Sequence, residues 1–256
     1  MKNTIYLLAS VILLLSCKKE SNIPSSTVTK ATITCADNQN INFSSIGTPI
    51  GKFADCIKDI DGNTYKTVTI GTQTWMAENM RTSRFNDGSV IYQIKNEEDW
   101  EPIWNTDTAA WVYYNHNETY NMKYGKLYNW YSINPLTNDN KNICPSGWHV
   151  PSDSEWNILI EKLGGISIAG GKMKELGIES WNSIDEETTN TSLFTGLAGG
   201  GAECDMSDFG YSGYWWSSTE DDESGGWSRE LNYNKNDIKR RSIEKRACLS
   251  IRCVKD

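Results

Sequence analysis

Two cysteines near the end of the chain, Cys248 and Cys253, stand in a Cys-x4-Cys spacing. Thiols that close together carry redox or metal chemistry when they are exposed and readily deprotonated. The chain has seven cysteines but only two histidines, His116 and His149, and no Cys-x-x-Cys. That donor set disfavours zinc. His149 sits between Trp148 and Val150-Pro151. As a general base it would need a nucleophile and an orienting acid, and no Gly-x-Ser-x-Gly supplies one. A structural histidine at a helix entry is the better reading, and His116, in an Asn-rich stretch, has no stronger claim. The run Glu220-Asp221-Asp222-Glu223 offers the oxygen ligands that calcium takes. Such runs are more often solvated loop tips. Asp59-Ile60-Asp61-Gly62-Asn63 has the look of a calcium loop, but its glycine comes one ligand early and the distal Glu is missing. A hairpin turn fits it better. The expectation is therefore no cofactor, with calcium at Glu220–Glu223 the one metal left open.

Cys17 has a different chemistry in prospect. Lys2 precedes an apolar run from Ile5 to Leu15 that is too short to cross a bilayer comfortably. The run ends in Leu14-Leu15-Ser16-Cys17 and is followed by polar Lys18-Lys19-Glu20. This pattern reads as a signal peptide over 1–16, with Cys17 the lipidated residue of a bacterial lipoprotein. Acyl chains on Cys17 would anchor the protein in the membrane. No Asp follows Cys17, so the outer membrane is the expected destination, with the leaflet left open. The six remaining cysteines are Cys35, Cys56, Cys144, Cys204, Cys248 and Cys253. An even number in an exported chain argues for disulfides, and six allow fifteen pairings.

Around these residues the chain must build a core. Of its 256 residues 38% are apolar, with 11 Trp and 12 Tyr, enough large rings to bury a substantial interior. The formal charge of −8 makes nucleic acid a poor partner. The short basic groups Lys239-Arg240-Arg241 and Lys245-Arg246 read as solvated strand faces.

Residues 17–56 read as the lipidated Cys followed by a polar, Ser/Thr-rich tether, ending in a small loop. The globular pattern occupies 57–256. Asp61-Gly62 marks a turn, 65–70 alternates as a strand, and 73–76 returns. Residues 92–131, rich in Tyr, Trp and Asn, show little periodicity and read as long loops packed by aromatics. Ser152-Asp153-Ser154-Glu155 is a capping box, followed by Trp156, Leu159, Ile160 and Leu163 on one helical face. Gly164-Gly165 stops that helix. A second short helix is predicted over 171–176, and strands over 213–219, 227–233, 237–242 and 247–254. Asn234–Asp237 reads as a hairpin turn. The fold class is α+β.

Several strings recur in order: Asp61-Gly62-Asn63-Thr64-Tyr65 through Ile70-Gly71, Trp75-Met76-Ala77-Glu78-Asn79-Met80, and Gly125-Lys126-Leu127-Tyr128-Asn129-Trp130. Cys144-Pro145-Ser146-Gly147-Trp148-His149-Val150-Pro151, Trp215-Trp216-Ser217-Ser218-Thr219 and Ser250–Asp256 follow. Together they resemble the Fibrobacter succinogenes major paralogous domain family over about residues 57–256. The resemblance implies a C-type lectin-like fold: two short helices and a small twisted antiparallel sheet with long loops, stabilised by disulfides. It also implies a secreted or lipid-anchored protein, and a bridge from Cys144 to Cys253. Cys204 to Cys248 and Cys35 to Cys56 would then be the other two pairs. The Glu-Pro-Asn, Gln-Pro-Asp and Trp-Asn-Asp signatures of calcium-bridged sugar binding do not stand in this chain; Trp181-Asn182-Ser183 lacks the final acid.

If the fold is of that kind, Trp227, Arg229, Asn232, Tyr233 and Lys235 lie on the ligand-facing side, with the loops 203–214 and 220–226. Trp215 and Trp216 point to opposite faces, one expected in the core and the other either exposed or packed under a loop. Asp107-Thr108-Ala109 resembles a short bacterial O-glycosylation acceptor. The expected function is a non-catalytic envelope lipoprotein whose C-type lectin-like domain binds a glycan or protein. The alternatives are a structural envelope component and an oxidase like the formylglycine-generating enzymes, which share a related fold and would use Cys248/Cys253 with copper.

Overall fold

The structure is a computed structural model, and it describes residues 48–184, 186–203 and 205–256. The signal peptide 1–16, the lipidated Cys17, the polar tether and the expected cysteines Cys35 and Cys204 lie outside the described residues. The first described strand, β1 (Lys52–Phe53), is already part of a sheet, so the fold begins upstream of residue 57. Ile50 and Phe53 pack against the core there, and the amides of Ile50 and Gly51 donate to Thr191 O.

A small hairpin, β2 (Ile57–Lys58) with β3 (Thr64–Tyr65), encloses the Asp59–Asn63 turn. Asp59 is buried inside that turn and accepts from the Asn63 amide and, at 2.5 Å, from the Tyr65 hydroxyl. β4 (Thr67–Ile70) and β5 (Gln73–Met76) form the predicted hairpin. The segment 92–131 contains more structure than its pattern suggests: β6 (Tyr92–Ile94), α1 (Trp100–Trp104), β7 (Ala110–Val112), α2 (Asn121–Tyr124) and β8 (Leu127–Asn129). All three residues of β7 and of β8 are buried, so neither strand shows alternation, and each is too short for a period to register.

β9 (Trp148–His149) leads into α3 (Asp153–Lys162) through the predicted capping box. Ser152 Oγ accepts from Glu155 N at 3.3 Å, and Glu155 Oε2 accepts from Ser152 N at 2.8 Å. α4 runs over Ile166–Met173, earlier than the expected 171–176. Its Gly170 and Gly171 belong inside the helix because the turn after the β-hairpin presses on them; a Cβ on Gly170 would stand 2.3 Å from Asp237 O. The chain then builds β10 (Gly199–Ala202), β11 (Met206–Phe209), β12 (Ser212–Glu220), β13 (Gly225–Asn232) and β14 (Ile238–Glu244). The expected last strand divides into β15 (Cys248–Leu249) and β16 (Val254–Lys255), which join different sheets.

The fold is α+β with four short α-helices among the described residues, not two. Its sheets are larger than the one small antiparallel sheet expected. One has nine strands in the order β14-β13-β12-β10-β15-β8-β7-β6, with β11 on β10. It is mostly antiparallel, but β10 pairs β12, and β6 pairs β7, in parallel. The other has five strands, β1-β4-β5-β16-β9, so its first and last strands share one sheet. Two cores lie on opposite sides of β12. Trp215 belongs with Trp75, Trp156 and Phe194 under the helices; Trp216 belongs with Tyr128, Trp130 and Ile251. Both rings are fully buried, so of the two alternatives for the second ring it is the packed one that holds. Their indole N–H groups donate to Asn79 Oδ1 and Tyr128 O, as buried rings require.

Cys144 and Cys253 form a disulfide with Cα atoms 6.0 Å apart, closing a separation of 109 residues. Cys56 is also disulfide-bonded. Cys248 is a free, fully buried thiol, which corrects its expected bridge to Cys204. It packs among Ala202, Leu127 and other apolar neighbours, and burial pushes its thiol well above the ordinary range.

Candidate functional site

Side chains of β12, β13 and β14 alternate between the two faces of the sheet. Trp215, Arg229, Leu231 and Ile238 face the helices. Tyr214, Glu230 and Arg241 face the other way. On that outer face they line an open hollow of about 230 Å³. Ala202 and Leu249 contribute apolar surface to it, and Asp208 closes one side. The wall that carries Asp208 depends on close strand contact: Gly200 has φ +63, and a Cβ there would stand 2.2 Å from Ser207 O. Asp208 itself has φ +60 and opens a turn closed by Tyr211 N donating to Asp208 O at 2.9 Å.

The polar groups of the hollow are linked in two pairs. The Tyr214 hydroxyl donates to Asp208 Oδ2 at 2.8 Å. Burial, with Asp208 alongside, holds the Tyr214 phenol protonated well beyond neutral pH. Arg241 Nε donates to Glu230 Oε2 at 2.7 Å. Glu230 is 5% exposed, whereas the Arg241 side chain is 51% exposed. The Glu230 pair fixes the Arg241 charge and raises its pKa further. One rung away on the same face, Asn232 Nδ2 donates to Ser212 Oγ at 3.0 Å. The hollow is thus a rigid, strand-built surface with hydroxyl, carboxylate and guanidinium groups around apolar patches. Such a surface binds by hydrogen bonds and contact area.

The predicted ligand residues divide between the two faces. Asn232 shares the outer face with the hollow. Arg229 is 1% exposed and faces α3, where its Nη1 pairs with Asp153 Oδ1 at 2.6 Å and its Nη2 donates to Asn157 Oδ1 at 3.0 Å. It is a staple between helix and sheet, which corrects its assignment to ligand. Trp227 is covered by Arg240, whose guanidinium stands 3.2 Å from the ring centroid and pairs with Asp153. Tyr233 packs against the helical core and, edge-on, against Tyr211 at 5.3 Å. Lys235 sits exposed in the hairpin turn. The basic group Lys239-Arg240-Arg241 is therefore no plain solvated face, since Arg240 and Arg241 close ion pairs on opposite sides of the sheet. Asp208 and Tyr214 lie in the segment 203–214 expected on the ligand-facing side, whereas Glu230 was missed. The register of 212–216 against 228–232 marked it, because Glu230 stands opposite Tyr214 on one face.

The acidic run does not converge. Glu220 pairs with Lys245, while Asp222 accepts from the Ser224 amide and hydroxyl and from Gly225 N. Those bonds hold the Asp222 carboxyl below its usual range. Among the described residues no group of three or more His, Cys, Asp or Glu is placed to hold a metal, so calcium at Glu220, Asp221, Asp222 and Glu223 has no geometric support. His149 uses both ring nitrogens, Nε2 with Glu155 Oε1 at 2.8 Å and Nδ1 with Asp256 Oδ1 at 2.6 Å, leaving neither free as a base. Cys253 is in the disulfide, so Cys248/Cys253 is not a dithiol pair. Thr108 is exposed. Among the described residues no helix is long and apolar enough to cross a membrane.

No curated protein and no solved structure is significantly similar to the chain. Among protein families, the Fibrobacter succinogenes major domain matches residues 68–255. The match takes in β4 from its second residue through β16 and every residue of the hollow, and on it the chain belongs to the Fibrobacter succinogenes major domain family.

Proposed function

We propose that the protein is a non-catalytic recognition module of the cell envelope, anchored through a lipidated Cys17, whose outer-face hollow binds a glycan. The fold it uses is read as C-type lectin-like. Two observations favour that reading: α3 and α4 follow one another directly, and the first and last strands lie in one sheet. The observation that carries the function is the arrangement of Asp208, Tyr214, Glu230 and Arg241 around Ala202 and Leu249. Sugar hydroxyls both donate and accept, and their C–H faces are apolar. Carboxylates to accept, a guanidinium to donate and small apolar patches between them complement that chemistry. The outer membrane is the proposed location, resting on the residues around Cys17.

The test is a glycan array probed with the full-length protein and with Asp208→Asn and Tyr214→Phe variants. Saturable binding to a glycan, weakened about tenfold by either substitution, supports the reading. A protein ligand would instead leave the array blank and appear as a complex that the same substitutions weaken.

A further inference from the structure

The hollow leaves the Asp107-Thr108-Ala109 string unused. Asp stands directly before a Ser or Thr at two places in the chain, Asp107-Thr108 and Asp153-Ser154. The structure separates them. Ser154 lies in the first turn of α3, and Asp153 is spent on Arg229 and Arg240. Asp107 and Thr108 are both exposed, in the stretch between α1 and β7 that is neither helix nor strand.

That stretch presents a hydroxyl and holds it in place. Asn129 Nδ2 donates to Thr108 O at 2.8 Å, which ties the backbone to β8. Thr106 Oγ1 donates to Pro102 O at 3.1 Å, so its single proton is spent. In its 2.8 Å contact with Thr108 Oγ1 it therefore accepts, and Thr108 is the donor. No donor among the described residues reaches the Thr108 oxygen, whose lone pairs stay free on an exposed residue. A transferase acting on the folded protein needs a reachable, positioned nucleophile of this kind.

An indole stands on the same turn. Trp104 is 43% exposed, whereas the other Trp rings are buried or, like Trp227, covered. Trp104 ends α1, and Thr106 folds the chain back onto that last turn through Pro102 O and, at 3.3 Å, Ile103 O. An apolar ring beside an acceptor gives the first sugar a face to pack on.

We infer that Thr108 is a site of O-glycosylation, with the first sugar packed on Trp104. The inference rests on the export reading of residues 1–17 and not on the hollow. The Thr108 oxygen attacks the anomeric carbon of a sugar held as a phosphate ester by an envelope glycosyltransferase. The new C–O bond forms as the bond from that carbon to the phosphate oxygen breaks. The phosphate leaves with the electron pair, the hydroxyl proton passes to a base of the transferase, and nothing is oxidised or reduced. Asp107 marks the acceptor for the transferase.

The experiment is mass spectrometry of tryptic fragments of the full-length protein isolated from its native cells. The fragment 96–123 holds Thr106, Thr108 and Thr119. It should be heavier than its sequence by whole sugar residues, and electron-transfer fragmentation should place that mass on Thr108. Thr108→Val should lose the added mass, Thr108→Ser should keep it, and Asp107→Asn should lose most of it, with the unfolding midpoint unchanged in all three. Trp104→Ala should keep the glycan and lose the upfield ring-current shift of its sugar protons. A bare Thr108 in a protein that begins at an acylated Cys17, or sugar on Thr106 or Thr119 instead, overturns the inference alone. A bare Thr108 in a protein that still carries residues 1–16 overturns the export reading with it. Sugar protons unshifted in the unsubstituted protein overturn the packing on Trp104.

Discussion

The two faces of β13 each bury a charge, and they treat it differently. On the helix side, Arg229 meets Asp153, Asn157 and a backbone carbonyl, so its donors are well used. On the outer side, adjacent Glu230 meets one half-exposed arginine and lines the hollow. Residues next to one another in sequence, at similar depth, thus have different roles. Burial alone separates neither from a core residue. The side each one faces does, because Arg229 is closed in against α3 and holds the fold, while Glu230 opens onto the hollow.

The comparison predicts its largest effect on the helix side. Arg229→Leu leaves the partly buried Asp153 with only the half-exposed Arg240 and removes the guanidinium that ties α3 to the sheet. Breaking a buried pair in this way costs roughly 3–5 kcal/mol. Urea denaturation should show a loss of that order, with glycan binding by the folded fraction unchanged. If binding fell while stability held, the roles assigned to the two faces would be reversed.

Next comes the Cys144–Cys253 bond, which lies in the second core and belongs to neither charged pair. A crosslink across 109 residues stabilises by about 4–5 kcal/mol in the chain-entropy model, and removals from real domains fall at roughly 2–5. The double variant Cys144→Ser, Cys253→Ser should lower the unfolding free energy in urea denaturation by roughly 2–5 kcal/mol. The preference of its remaining folded molecules among glycans should not move, because neither cysteine lines the hollow.

Glu230→Gln should do the opposite. Gln keeps an oxygen for Arg241 Nε, and Arg241 is half-exposed, so the stability change should stay within about 1 kcal/mol. The ligand effect should be far larger than that.

These contrasts also show where the sequence was legible. The α3 capping box, its buried stripe Trp156, Leu159 and Ile160, and the 67–76 hairpin follow from local rules, and the structure has them. The resemblance located the chain in its family, and the match over 68–255 agrees with it. The region 92–131 was opaque because its strands are three residues long, and two of them, β7 and β8, are buried throughout. α4 was placed too late in the chain, because Gly170-Gly171 disfavour a helix by local propensity and are glycines only because a turn of another element sits against them. The site was half legible. Trp227, Arg229 and Asn232 pointed to the right strand, but strand period 2 sends Trp227 and Arg229 to the helices and Asn232 outward. Glu230 lay between them, and a lone Glu in a strand gives no signal until the hydrogen bonds around it are known.

The smallest effect is a pH dependence, and it bears on α3, the helix that the Arg229 side serves. Burial of the His149 ring works against its charge. The hydrogen bonds to Asp256 and Glu155, with the charges they carry, outweigh that and raise its pKa above 6.5. The folded protein therefore binds the His149 proton more tightly than the unfolded chain does. This contribution to stability is complete below about pH 6.5 and is lost as pH rises through the folded value. Glu155 behaves inversely. Burial raises its pKa, but the bonds from Ser152 and His149 overcome that and hold it below the usual carboxylate range. Its contribution is present above about pH 4.5 and is lost as pH falls through its folded value. Asp153, held below 3.8 by Arg229 and Arg240 against the opposing effect of burial, follows the same acid limb. The unfolding midpoint should therefore be highest between about pH 4.5 and 6.5 and decline gently toward pH 8. His149→Gln should flatten the alkaline decline and leave the acid limb largely in place. His149 is 39% exposed, so the amplitude is that of a screened surface pair, smaller than the loss from Arg229→Leu. An alkaline decline of equal size in His149→Gln would show that the imidazole carries none of it and that the titrating group lies elsewhere.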